Sequence, residues 1–328
     1  MPLALTGTPR SQSFLAPVAA DLAEVERELG RVFSGQRRHV ASLVSHLEHY
    51  RGKRLRPALL LLAARACGQV TTEHYTLGAV VEMIHTATLV HDDVLDDADL
   101  RRHAKTVNAI WGNHASILLG DMLFSQAFHL ASTVDARACS IIGATTNRVC
   151  EGELHQVTER GNLFLTEADY FDIIDGKTAE LTACCGRLGA IYAGAGADVV
   201  DRLTEYGRCL GTAFQIADDL LDVMGTEVTT GKTLGTDLAQ GKLTLPVIHL
   251  LERLPAADAE RIRHKIQNGT LTRDEIRPLL TKTGALAYTR DRADEFAAIA
   301  RNALSPLPSS EYKRMLETIT DWTVRREQ

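Results

Sequence analysis

The stretch Leu89 to Arg102, LVHDDVLDDADLRR, sets the narrowest limits on how this chain can fold. It carries five aspartates in fourteen residues, closes an apolar run from Ala79 to Val90, and ends in two arginines. Read as helix, it puts Asp92 and Asp96 on one face, about 5.4 Å apart along the axis, with Asp93 and Asp97 beside them. Like charges at that spacing destabilise a helix, so a fold that keeps them together calls for a cation. Hard divalent ions suit carboxylate oxygens, and Mg²⁺ favours one or two carboxylates plus substrate phosphates. A second segment repeats the device. FQIADDLLD, Phe214 to Asp222, sets Asp218, Asp219 and Asp222 at the same spacing in apolar, helix-periodic surroundings. One such cluster alone reads as a solvated helix end. Two matched clusters point to a cavity with several metal ions between distant helices.

The rest of the chain agrees with a helical protein. Its 328 residues are 45% hydrophobic, enough for a large core, and only 5% aromatic. Ala and Leu abound, which favours helix, and alternating strand patterns are nearly absent. The predicted class is all-α, with a tail over residues 1–16 and a single helical domain over 17–328. The net charge of −6 leaves no broad basic surface for nucleic acid. The six cysteines show no zinc or CxxC spacing, which suits reduced, packed thiols and a cytoplasmic protein. The N-terminus lacks the layout of a signal peptide, and no apolar run reads as long enough to span a bilayer.

Several shorter features matter beside the acidic pair. The periodicity predicts helices at Ala19 to Phe33, His39 to Tyr50, Thr72 to Asp97, Asn113 to Ser132, Ala136 to Glu159, Ala256 to Gln267 and Thr283 to Leu304. RGKRLRP, Arg51 to Pro57, sets Lys53, Arg54 and Arg56 before a helix, a natural anion site. His85 lies two turns before Asp92, on the same side. Arg101 and Arg102 either screen the carboxylates or clamp diphosphate through their planar forks. Glu151, Glu153, His155 and Gln156 read as a polar stripe without a metal. Gly176 interrupts a helical pattern, which predicts a kink presenting Lys177 and Thr178 inward. Lys232 and Lys242 lie in a glycine-rich loop that resembles a flexible flap, and no GxxxxGK[ST] phosphate loop occurs.

Taken in order, GKRLRP, the histidine of EMIH, HDDVLDDADLRR, GKTAEL, FQIADDLLD and GKLTLP make the chain resemble the trans-isoprenyl diphosphate synthases, or polyprenyl synthetases. The motifs run from about Gly52 to Pro246. That resemblance implies an antiparallel helical bundle around a deep cavity, a homodimer, and two aspartate motifs facing each other across the mouth. It implies three Mg²⁺ per site, with Asp92, Asp96, Asp218 and Asp222 as metal residues and Asp93 and Asp219 in support. Arg101, Lys177 and Lys232 would contact the allylic diphosphate. Lys53, Arg56, His85 and Arg102 would bind isopentenyl diphosphate, and Thr178 and Gln215 would line the reacting carbons. His103 departs from the glycine common after the arginine pair, which puts the local turn in doubt.

The same resemblance bears on product length. Ala87 and Thr88, one turn behind Asp92, are small where short-chain members carry an aromatic. Ile84 follows, and Phe124 and Phe128 are candidates for the floor. The implied product is octaprenyl to nonaprenyl diphosphate, a quinone side-chain precursor. The rivals are a farnesyl or geranylgeranyl diphosphate synthase, a non-catalytic subunit of a heteromeric synthase, and a terpene cyclase. The retained aspartates argue against the subunit, and the second basic site, GKRLRP with Arg102, argues against the cyclase.

Overall fold

The computed structural model describes residues 15–34, 38–224 and 236–325. Helices dominate: α1 (Ala19–Phe33), α2 (Arg38–His46), α3 (Leu55–Cys67), α4 (Thr72–Leu95), α5 (Val107–Trp111), α6 (Asn113–Val134), α7 (Ala136–Thr158), α8 (Glu167–Ile174), α9 (Glu180–Tyr192), α10 (Ala197–Met224), α11 (Thr236–Ala239), α12 (Leu245–Arg253), α13 (Ala256–Gln267), α14 (Arg273–Lys282), α15 (Ala285–Ala303) and α16 (Glu311–Val324). The helix expected up to Tyr50 ends at His46 and tightens into a 3₁₀ turn, Leu47–Tyr50. The all-α class holds, with one small exception: β1 (Leu100–Arg101) pairs antiparallel with β2 (Ala104–Lys105).

That hairpin resolves the doubt over His103. Arg102 and His103 both take positive φ, 50° and 65°, as a tight two-residue hairpin turn requires. Histidine therefore occupies a left-handed position that glycine fills without steric cost.

The chain divides into two compact units. The first runs to Thr146 and includes Cys184–Thr204 and Pro306–Thr318. The second holds Asn147–Ala183, Glu205–Ser305 and the stretch from Ile319. In the first, α3 is apolar on every side and buried from Pro57 to Ala64, the signature of a central helix. One apolar cluster there joins Val44, Leu47, Tyr50, Ala87, Val90, Val107, Leu119 and Leu123. In the second unit, α8, α10, α12 and α15 share a core built on Tyr170, Ile216, Leu220, Leu245, Ile248 and Ala293.

Two expectations need correction. Helix α6 is long and apolar enough, by length and composition alone, to cross a membrane, and 28% of its apolar window is buried. The sequence reading missed it because His114, Asp121 and His129 break the run into short pieces. The cysteines are free thiols as expected, but Cys150 is exposed rather than packed.

Candidate active site

Each unit carries one aspartate motif at the C-terminal end of a helix. Asp96 is the C-cap of α4, and its N–H donates to the Asp92 carbonyl at 2.9 Å. Asp218 and Asp222 lie in the last two turns of α10. Carboxylates at a helix C-terminus oppose the macrodipole, so both motifs favour an added cation. Burial separates the aspartates into two kinds. Asp92, Asp96, Asp218 and Asp222 are half-buried, whereas Asp93 and Asp219 are enclosed.

Both oxygens of each enclosed aspartate are engaged. Tyr50 donates its phenol O–H to Asp93 Oδ2 at 2.5 Å, and Arg101 donates Nε and Nη2 to Oδ1 at 2.8 and 2.7 Å. Tyr170 donates to Asp219 Oδ2 at 2.6 Å, and Gln215 Nε2 donates to Oδ1 at 2.7 Å. Thr178 donates to Gln215 Oε1 at 2.9 Å, which joins two predicted site residues to the second motif. Burial, and after it the charge of Asp237, holds the Asp219 carboxyl well above its ordinary range.

The first unit gathers an electropositive cluster. His85 is held well below the usual imidazole range by burial, then by Arg56, Arg102, Arg101 and Arg54. Two of those arginines are spent on carboxylates. Arg54, at φ 53° before α3, bonds Glu26 and Glu82 at 2.5 Å each, and Arg101 bonds Asp93. Burial lowers both guanidiniums, yet their carboxylates leave them above the ordinary value.

Arg56 and Arg102 behave in the opposite way. Burial pushes both down, and among the described residues no carboxylate forms an ion pair with either. Arg56 Nε is buried with no hydrogen-bond partner. Arg102 Nη1 donates to the neutral carbonyl of Tyr50. Its guanidinium lies so close to Gly52 that a Cβ there would sit 2.7 Å from Nη2. A guanidinium nitrogen buried without a partner, as on Arg56, is costly, and the planar fork of each arginine matches a diphosphate. Lys53 stands exposed on the same loop.

In the second unit, α8 ends in a π-helical turn, Asp175–Ala179. The kink expected at Gly176 is this bulge, a form common at functional sites. Its cause is a close helix crossing. A Cβ on Gly152 would meet Lys177 N at 2.4 Å, and one on Gly176 would meet Arg148 O at 2.9 Å. Arg208 ties the turn down through Asp175 and Glu180. Lys177 Nζ pairs with Glu153 at 2.6 Å. Lys177, Thr178, Gln215 and Asp219 line one cavity of about 130 Å³ with Tyr170, Asp237 and Lys242. Lys232 lies outside the described residues.

The chain-length candidates divide. Ala87 is fully enclosed in the apolar cluster of the first unit, and Phe124 packs against that cluster. Ile84 is buried and Thr88 is half-buried, its hydroxyl on the His85 carbonyl at 2.8 Å. Phe128 lies instead beside Gly143 on α7.

The donor set fits a metal held jointly with substrate. Among the described residues no three carboxylate, imidazole or thiolate side chains converge as a ready cage. Two half-buried carboxylates per motif are what Mg²⁺ uses when phosphate oxygens complete its shell.

A polyprenyl synthetase model matches residues 37–283. The chain belongs to the polyprenyl synthetase family. It is a prenyltransferase. The octaprenyl diphosphate synthase of Haemophilus influenzae is 40% identical over 84% of each chain. The short chain isoprenyl diphosphate synthase of Methanothermobacter thermautotrophicus is 36% identical over 86% of this chain and 89% of its own. A polyprenyl synthase structure from Caulobacter crescentus, complexed with calcium and isoprenyl diphosphate, superposes with TM-score 0.90 at 36% identity, covering 100% of both chains.

Within this polyprenyl synthetase, sequence reasoning missed Tyr50, Tyr170, Glu153 and Asp237. Tyr50 and Tyr170 lie more than forty residues from the aspartates they bond, at separations of 43 and 49. No local spacing announces them. Asp237 carried a weak signal as the acid in a loop otherwise read for its lysines.

Proposed function

We propose that the chain condenses isopentenyl diphosphate with an allylic diphosphate to build a long-chain all-trans polyprenyl diphosphate, as a homodimer in the cytoplasm. The observation that carries this reading is the pair Arg56 and Arg102, which bond no carboxylate among the described residues, with Arg56 Nε buried and unpartnered, in a chain that also holds two cation-seeking aspartate motifs. A terpene cyclase handles one diphosphate and has no use for that second basic site.

In this reading Asp92, Asp96, Asp218 and Asp222 hold Mg²⁺, three ions per site. Bound Mg²⁺ neutralises charge on the departing diphosphate. Arg101, Lys177 and Lys232 add donors to the same allylic diphosphate. Lys177 must leave Glu153 to do so. Lys53, Arg56, His85 and Arg102 hold isopentenyl diphosphate. The allylic C–O bond breaks and its electron pair leaves with diphosphate. The double bond of isopentenyl diphosphate then attacks the allylic cation, and the departed diphosphate takes the proton that restores a neutral chain. Thr178 and Gln215, fixed to each other and to Asp219, line the reacting carbons. Residues behind the metals exclude water from the cation.

Small side chains at Ala87 and Thr88 favour a long product, and so does the 40% identical octaprenyl synthase. A polyprenyl chain of that length suits a quinone side chain. A shorter product is the second reading, favoured by the complete enclosure of Ala87. Labelled isopentenyl diphosphate, farnesyl diphosphate and Mg²⁺ decide between them. A product ladder well past twenty carbons supports the first, and one stopping at twenty supports the second. Ala87→Phe is expected to shorten the ladder; unchanged products would sink the path past Ala87. Absence of incorporation with farnesyl, geranyl and dimethylallyl primers would overturn the catalytic reading.

The homodimer rests on an apolar surface. Ile110, Trp111, Ile117 and Leu118 are exposed on α5 and α6, the last at 67%. A second copy of the same face would cover them. Sedimentation velocity tests this, with Leu118→Glu expected to give monomers.

A further inference from the structure

We propose that Tyr50 and Tyr170 are positioning residues for the two aspartate motifs, each locking the enclosed aspartate so that its neighbours present carboxylates to Mg²⁺. The inference deepens the functional reading above and rests on it. Two unrelated tyrosines make the same contact. Tyr50 ends a 3₁₀ turn and Tyr170 sits in α8, yet each donates its O–H to Oδ2 of the second aspartate in its motif.

The direction of one proton is fixed by the structure. Val107 N–H donates to the Tyr50 oxygen at 3.1 Å, so the phenol proton points to Asp93. Both tyrosines are enclosed, at 4% and 3% exposure, and cannot exchange these bonds for water. With Oδ1 also taken, by Arg101 in one motif and Gln215 in the other, Asp93 and Asp219 cannot turn outward to chelate. Mg²⁺ demands near-ideal octahedral geometry, so a carboxylate free to intrude or a helix end free to rotate weakens the site. Partners behind the ligands commonly govern metal affinity to this degree.

The test uses Tyr50→Phe and Tyr170→Phe in the full chain, with Tyr75→Phe as control. Tyr75 makes the same kind of bond, to Asp21 at 3.0 Å, away from both motifs. Mg²⁺ binding is measured by calorimetry with inorganic pyrophosphate as the second component, beside the Mg²⁺ dependence of kcat. The expected result is about tenfold weaker Mg²⁺ binding and a higher half-saturating Mg²⁺ in each motif variant, with the control unchanged.

Lower melting temperatures with wild-type Mg²⁺ binding would make the tyrosines merely structural and overturn the proposal. Weakening in Tyr75→Phe to the same extent would also overturn it. Wild-type protein that binds Mg²⁺ and pyrophosphate but condenses no isopentenyl diphosphate would defeat the functional reading alone. The variants' binding loss would still stand as support for positioning. Wild-type protein that binds no Mg²⁺ with pyrophosphate would remove both.

Discussion

The two aspartate motifs share a tyrosine and differ in the second partner of the enclosed aspartate. Asp93 meets the guanidinium of Arg101, while Asp219 meets the neutral amide of Gln215 with Asp237 close by. The first motif thus carries a built-in countercharge, and the second has its carboxyl pushed toward the protonated form. A protein cation balances one site in advance. Among the described residues Asp219 is bonded by a phenol and an amide and by no cation. Geometry is conserved between the motifs by the tyrosines, and electrostatics is where they diverge.

The largest effect should separate half-buried from enclosed aspartates. Asp92→Ala and Asp218→Ala are each expected to lower kcat by about 10²–10³, the scale of losing one direct electrostatic stabiliser of the transition state. Asp93→Asn and Asp219→Asn should cost only about 10–100-fold, as supporting partners do. Steady-state kinetics at saturating Mg²⁺ checks the order. Equal losses at all four positions would break the division into ligands and anchors.

Stability should then separate the two anchors from each other. Asp93→Asn leaves the half-buried Arg101 without its hydrogen-bonded anion, which costs up to about 3–5 kcal/mol. Asp219→Asn removes no ionic partner and should cost about 1–3 kcal/mol, the range for an imperfect buried hydrogen bond. Urea unfolding in Mg²⁺-free buffer gives both numbers. A larger loss at Asp219 would show that its amide and phenol partners demand a full anion.

Much of this arrangement was legible in the sequence, for a physical reason. Apolar periodicity and acidic spacing are local, so Ala19–Phe33 and Ala256–Gln267 were placed to the residue. Gly176 announced its irregular turn because only a missing side chain permits the approach of Gly152. The tyrosines were illegible because a hydrogen bond over 43 or 49 residues leaves no spacing to read. The division of labour among Arg54, Arg56, Arg101 and Arg102 was equally hidden. It depends on which guanidinium finds Glu26, Glu82 or Asp93, and a run such as GKRLRP does not say. Glu153 read as part of a polar stripe for the same reason, since its partner Lys177 comes from another helix.

A smaller effect probes the turn that carries Arg101 and Arg102. His103 holds φ at 65°. His103→Gly relieves the left-handed strain, worth about 1–2 kcal/mol, against the greater chain entropy of glycine when unfolded, about 0.5–1 kcal/mol. The expected net gain is about 0.5–1 kcal/mol in urea unfolding. A loss would mean that the imidazole makes a contact worth more than the strain.

The smallest effect is the response to acid. His74, at the start of the helix that ends in the first motif, is buried and accepts the Thr71 N–H on Nδ1 at 2.9 Å. Its Nε2 lies 3.1 Å from the Gly189 carbonyl, so Nε2 carries the proton. Burial lowers its pKa in the folded state below the ordinary 6.5. The unfolded chain therefore binds a proton more readily, and stability is complete above about pH 6.5 and falls as pH drops below it. Protonation also removes the acceptor that Thr71 needs at the start of α4. Hydrogen exchange, corrected for intrinsic rates, should show α4 losing protection between pH 7 and 5.5, with α10 and its motif responding less. His74→Gln should flatten the α4 response. An unchanged slope in that variant would assign the acid sensitivity to His85, which burial and its arginines also hold neutral, and would move the pH-dependent step to the diphosphate site itself.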